Sequence, residues 1–191
     1  MDWGKLISTI ILGGTVSCHA PVLLTELNPE SKPLNKFKYF NAEFRLPENS
    51  PLKTNGFYYN IGTPRKVPIT VKSFNEAKKN GIAPAGFEFG ELNITKDTVL
   101  TVVNTNVYVF YPNGSFSLRI YNNKLIDEIE KDATVIFQKK NQGSYVYKLE
   151  GDIIKYETYS KMSGFYYTEG NVGENFITVG KSEPYQFIAF N

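Results

Sequence analysis

Apolar and polar side chains alternate with a period of two through most of the chain beyond residue 38, the pattern of strands that are buried on one face. The clearest case runs Asn106-Val-Tyr-Val-Phe-Tyr111, turns through Pro112-Asn113-Gly114, and returns as Ser115-Phe-Ser-Leu-Arg-Ile-Tyr121. Pro112 presets the first turn angle, and Gly114 can take the left-handed conformation that rejoins the ladder. On the return strand Phe116, Leu118 and Ile120 alternate with Ser115, Ser117, Arg119 and Tyr121, which predicts one apolar face and one wet one. A second hairpin is predicted from Ser144–Leu149, through Glu150-Gly151-Asp152, into Ile153–Tyr159, with Tyr145, Tyr147 and Leu149 meeting Ile154 and Tyr156 across the ladder. Further strands are expected at Phe57–Asn60, Val67–Lys72, Gly86–Leu92, Val99–Val103, Thr134–Gln138, Gly164–Thr168, Asn175–Val179 and Tyr185–Phe190.

Two segments break this alternation. Ser73-Phe-Asn-Glu76 has the form of a capping box, with Gly81 placed to end the helix about two turns later. Asn123–Asp132 brings Leu125, Ile126 and Ile129 to one side, as a helix lying across a barrel mouth or a sheet face would. The fold class is therefore all-β, an antiparallel barrel or sandwich of about 8–10 strands with one or two short helices. Composition agrees: 13 Tyr and 14 Phe stand against one Trp, and flat aromatic rings suit pleated surfaces. Gly56-Phe-Tyr-Tyr59 recurs as Gly164-Phe-Tyr-Tyr167, an echo too short in so aromatic a chain to signify duplication.

The first 38 residues read differently. Lys5 precedes an apolar run, Leu6–Leu12, followed by the small-residue stretch Gly13–Ser17 and then Cys18. The run is shorter than the roughly 20 residues a membrane crossing requires, and matches the core of a secretory signal. Thr15-Val16-Ser17-Cys18 resembles the lipobox of bacterial lipoproteins, with Thr15 where that motif usually has Leu. The resemblance implies cleavage before Cys18 and a lipid on its sulfur, a membrane anchor for the mature chain. The alternatives are a buried first strand at residues 6–12, or Cys18 as a small core residue. Against them, Cys18 is the chain's sole cysteine, and an unpaired thiol in an exported protein is otherwise a liability. Residues 18–38, with Pro21, Pro29 and Pro33, are expected to form an extended tether. Residues 39–191 then make a single β-domain.

Three body segments resemble small envelope lipoproteins of Bacteroidota type, some of them with a lipocalin-like barrel. They are Leu52-Lys-Thr-Asn-Gly-Phe-Tyr-Tyr59, Phe110-Tyr-Pro-Asn-Gly114 and Gln142–Glu157, where Gln142 stands in place of a frequent Trp. The resemblance implies a lipocalin-like fold and an envelope location, with the outer membrane as the expected site. It supplies no catalytic residues.

The charge is balanced, with 21 basic and 19 acidic side chains, and the densest basic sets are pairs, Lys78-Lys79 and Lys139-Lys140. That excludes the clustered basic stripe that phosphate neutralisation requires, and with it nucleic acid as a partner. The only histidine, His19, sits beside the anchor position, where it cannot enter a folded catalytic triad or metal site. The candidate carboxylate pairs for glycan hydrolysis are Glu88 with Glu91, Asp152 with Glu157, and Glu169 with Glu174. Asp127-Glu128-x-Glu130-x-Asp132 lacks calcium-loop spacing and reads as the wet face of a helix. Two sequon matches, Asn93-Ile-Thr95 and Asn113-Gly-Ser115, carry no meaning in a bacterial exported protein.

No catalytic residue, cofactor or metal is thus expected. The expected role is non-enzymatic: a monomeric, lipid-anchored envelope protein that binds an apolar small molecule or another envelope component. A structural or protein-interaction module is the alternative, and a carboxylate-based glycan hydrolase a third. The aromatic surplus is compatible with a filled core, a ligand cavity or an exposed recognition surface.

Overall fold

A computed structural model of the chain describes residues 32–81, 93–139, 143–161 and 163–190. Eight strands form one antiparallel sheet: β1 (Gly56–Ile61), β4 (Asn104–Phe110), β5 (Ser115–Asn122), β6 (Tyr145–Glu150), β7 (Ile153–Ser160), β8 (Gly164–Asn171), β9 (Phe176–Ile177) and β10 (Tyr185–Ala189). The order across the sheet is β8-β7-β6-β5-β4-β1-β10-β9. The remaining strands, β2 (Arg65–Ile69) and β3 (Thr98–Val102), pair with each other and prolong the β1–β4 arm. The expected all-β class is the observed one, and the sheet is curled and barrel-like.

Curling brings the sheet's two ends together. Past β8 the chain doubles back, so that Thr178 N–H donates to Asn171 O at 2.8 Å and Gly180 N–H to Glu169 O at 2.9 Å. The same returning segment carries β9, which pairs with β10. A gap remains on the opposite side, where β5 and β6 share only the pairs Ser115↔Val146 and Phe116↔Tyr145.

The inner face is filled by aromatic rings. Phe110 lies at its centre, with the rings of Tyr58, Tyr108, Phe116, Tyr147 and Tyr156 at centroid distances from 5.2 to 6.2 Å. Buried hydroxyls need partners, and three of these tyrosines find them in backbone. Tyr147 donates to Tyr111 O at 2.9 Å and Tyr156 to Thr178 O at 3.0 Å, while Tyr58 accepts from Lys53 N–H at 2.7 Å.

Both expected hairpins form. In the first, Phe110 pairs with Phe116, and Gly114 takes φ +82°. A side chain there would strike Phe44, whose ring lies 2.9 Å from the place a Cβ would occupy. In the second, Tyr147 faces Tyr156 and Leu149 faces Ile154, the predicted register.

The outer face of the first hairpin is not wet, as the alternation predicted. Helix α2 (Ile126–Lys139) covers it, packing Ile129 and Ala133 on Phe57, Val107, Val109 and Tyr111. The expected strand Thr134–Gln138 is instead the second half of this helix. There the β-branched run Thr134-Val135-Ile136 is overridden by tertiary packing at helical spacing. Leu125, expected on the buried side, is exposed just ahead of the helix, where its N–H is held by Glu128 Oε2 at 2.9 Å.

Helix α1 (Val71–Lys79) starts earlier than expected. Its capping box is Thr70 with Ser73 rather than Ser73 with Glu76, and Gly81, φ +68°, follows its C-terminal end. The strand expected at Val67–Lys72 accordingly shifts to β2, and the one at Asn175–Val179 shrinks to two residues. The expected strand Gly86–Leu92 lies outside the described residues.

The described end of the expected tether is packed on the domain. Leu34–Lys36 form a single 3-10 turn, Phe37 is buried, and its ring meets Phe165 edge-on at 5.3 Å. The chain then runs past the 112–114 turn, where Leu46 N–H donates to Pro112 O at 3.0 Å, before entering β1.

Candidate functional site

The strand pairings set Lys155 opposite Glu169, Glu157 opposite Tyr167, and Tyr159 opposite Phe165. Successive strand side chains point to opposite faces, so these six share the outer face of β7 and β8. Residues 34–39 lie on that face, and Glu157 fixes them there. Its Oε1 accepts Lys38 N–H at 2.9 Å and its Oε2 accepts Tyr39 N–H at 2.7 Å. Glu157 is only 1% exposed, so the strong bonds that an ionised acceptor makes serve to hold backbone.

Beside this anchorage lies an open cleft of about 240 Å³, lined by Tyr39, Lys155, Tyr167, Thr168 and Glu169. The Tyr39 and Tyr167 rings meet edge-on at 5.6 Å, with Lys38 Nζ about 6 Å from both. Desolvation pushes the Tyr167 hydroxyl above the ordinary tyrosine range, and the negative Glu157, which accepts its hydrogen bond, pushes it further. Lys155 bonds Glu150 at 2.6 Å; that bond, with smaller contributions from Glu169 and Tyr39, raises its pKa and keeps it a cation. Glu150 is in turn lowered to about 2 by Lys148 and Lys155.

Such a cleft can stack a flat or ring-shaped group on tyrosine and bond hydroxyls or amides through Lys155, Thr168 and Glu169. A lysine held protonated is a poor nucleophile. Acid–base glycoside cleavage requires two carboxyl groups no more than about 9.5 Å apart across a bond, and among the described residues Glu169 is the carboxylate that lines the cleft.

The expected carboxylate pairs fare differently. Asp152 and Glu157 are five residues apart along extended chain, about 16 Å at strand rise. Glu169 lines the cleft while Glu174 stands exposed on the turn beyond β8. Glu88 and Glu91 lie outside the described residues, as do Cys18 and His19.

In the acidic stretch of α2, Glu128 holds the helix start, and Asp132 bonds Tyr121 Oη and, at 3.2 Å, Arg119 Nη1. A second open hollow, of about 700 Å³, runs along the polar side of α2 at Asp127, Glu130, Lys131, Thr134 and Val135. Among the described residues no three His, Cys, Asp or Glu side chains are grouped to hold a metal ion. No described helix is long and apolar enough to cross a membrane.

None of the cleft residues except Glu169 stood out in the sequence. Alternation within β7 and β8 puts Lys155 with Glu157, and Tyr167 with Glu169, but the strand register is needed to bring the pairs together. Tyr39 comes from beside a segment that carries no strand signal. Comparisons with protein-family models, with curated proteins and with solved structures return no match to this chain.

Proposed function

We propose that this chain is a lipid-anchored protein of the bacterial envelope, placed at the outer membrane through Cys18. In this reading its monomeric β-domain works by recognition rather than catalysis, and it binds another envelope component at the cleft between Tyr39 and Tyr167–Glu169. The observation that carries the reading is the contrast between the two faces of the sheet. Inside, Phe110 is ringed by five aromatic side chains, which favours an external site over an apolar ligand at that point of the barrel. Outside, the cleft presents two tyrosine rings, a cation and a carboxylate to solvent, a set suited to a glycan or an extended peptide.

The anchor is tested by labelling with radioactive palmitate. Label should enter the wild-type protein and be lost in Cys18→Ala; label that survives the substitution sinks the anchor. Recognition is tested by purifying the intact protein from envelope membranes and identifying what accompanies it by mass spectrometry. The accompanying component should be lost from Tyr167→Ala and from Lys155→Ala. A component retained by both variants places the binding surface elsewhere.

A further inference from the structure

Phe165, Tyr166 and Tyr167 are 37%, 46% and 51% exposed, three consecutive aromatic side chains near the tip of the β7–β8 hairpin. The same tetrapeptide, Gly-Phe-Tyr-Tyr, forms the start of β1, where Phe57 and Tyr58 are wholly buried. In β1 one face looks into the barrel and the other lies under α2. On β8 the N-terminal segment covers the outer face only in part, and over residues 164–168 no described strand pairs with its far edge. The two copies differ in surroundings and not in residues, so the β8 copy has apolar surface that the fold leaves uncovered.

Basic groups ring this tip. Lys32, Lys36 and Lys38 are exposed on the adjoining segment, and Lys161 is exposed in the hairpin turn. Lys32 Nζ sits 5.2 Å from the Tyr159 ring centroid, and that ring packs on Phe165 at 5.1 Å. The chain therefore enters its described part at the tip itself. Tyrosine and phenylalanine beside lysine is the composition that settles at a lipid–water interface, ring ends in the acyl boundary and ammonium groups among anionic headgroups.

We propose that the tip of the β7–β8 hairpin, with Phe165, Tyr166 and Tyr167 and the surrounding lysines, rests on the phospholipid surface to which the chain is anchored. This rests on the reading of Cys18 as the anchor. Fourteen residue steps join Cys18 to Lys32, a reach of at most about 50 Å even when fully extended. Attachment at Lys32 holds this side of the domain nearest the membrane and raises the tip's effective concentration there. The cleft, two residues along β8, then opens at headgroup level, so the component it recognises is membrane-proximal.

The experiment uses the full chain, lipidated in a bacterial host and reconstituted in phosphatidylcholine–phosphatidylglycerol vesicles with or without brominated acyl chains. Cleavage before Cys18 removes Trp3, the one tryptophan of the sequence, so single tryptophans are introduced by Tyr166→Trp, Tyr167→Trp and, on the exposed side of α2, Val135→Trp. An interfacial position should set the emission of the first two to the blue of the third, and bromine should quench those two about twofold while leaving the third unchanged. Equal quenching at all three sites, or none at 166 and 167 in protein that carries palmitate, overturns the membrane contact while the anchor stands. Absence of palmitate overturns the anchor and the contact together, and the label reports that separately from the quenching. Covalent dimers cross-linked through residue 166 would make a second copy the occupant and likewise overturn the proposal.

Discussion

The Glu157 carboxylate on β7 accepts the backbone N–H of Tyr39 at 2.7 Å, across 118 positions of sequence. Lys38 N–H donates to the other oxygen of the same carboxylate at 2.9 Å. These two backbone donors converge on one side chain, and together they attach the segment before β1 to the far edge of the sheet. Both the cleft and the aromatic tip depend on that attachment, because Tyr39 walls the one and Phe37 supports the other.

Glu157→Gln should therefore loosen the N-terminal segment before it affects the barrel. An amide can still accept, but it loses the charge and turns an NH₂ group towards donors, a change that costs about 2–3 kcal/mol at a buried site. Urea unfolding measures the cost, and trypsin at Lys36 and Lys38 should cut the variant faster than the wild type. Unchanged cleavage would mean that the segment is held by Phe37 alone.

Phe110→Ala removes the ring on which five others converge. The cavity left behind cannot collapse easily among rigid aromatic neighbours, so the loss should fall at about 3–5 kcal/mol. Tyr147→Phe, which takes one buried hydrogen bond to Tyr111 O, should cost about 1 kcal/mol. Chemical denaturation of the two variants tests the ranking.

Alkaline pH should unfold the domain. Burial pushes Tyr58 up to about 12, offset in part by the bond from Lys53, and raises Tyr145 and Tyr185 as well. Tyr147 and Tyr156 are raised further by burial and neighbouring tyrosines. A tyrosine with a raised folded pKa binds its proton more tightly in the native state. Its contribution is complete below the unfolded value, near 10, and is lost as pH climbs through the folded value. Tyr58 alone carries about 2–3 kcal/mol of this. Stability by urea titration should fall steadily above about pH 10, and tyrosinate absorbance should rise together with unfolding.

Gly170→Ala should act on the closure of the sheet. A Cβ at Gly170 would lie 1.9 Å from Thr178 O, the carbonyl that Tyr156 also bonds. The clash is with backbone, so the returning segment must move, at a cost of about 1–3 kcal/mol. Hydrogen exchange at Thr178 and Gly180 should accelerate more than at β4. Gly151→Ala is the control, since a Cβ there meets nothing within 4 Å and only its φ of +61° opposes the change.

Strand content and both hairpins were legible because each element carries its own signal, alternation plus a turn with Gly114 or Gly151. What escaped depends on partners distant in sequence. Ser117, Arg119 and Tyr121 look like a solvent face until α2 is laid over it, and Thr134-Val135-Ile136 looks like strand until Ile129 and Ala133 are seen packed on Phe57 and Val109. The cleft was hidden for the same reason. Its acids and bases are ordinary surface residues until β7 and β8 are in register, and Tyr39 is held beside them by Glu157 and the Tyr167 ring. The two Gly-Phe-Tyr-Tyr segments state the limit most sharply, since identical residues are core in β1 and surface in β8.

Strand β1 lies between β4 and β10, and the Gly56↔Ala189 pair joins the first strand of the sheet to the last. During synthesis Phe57 and Tyr58 emerge more than a hundred residues before the strand that completes their cover. The meander from β4 to β8 can form pair by pair from neighbours, but β1 cannot be enclosed until β10 has left the ribosome. The nascent chain thus has no route to the completed sheet until β10 is made.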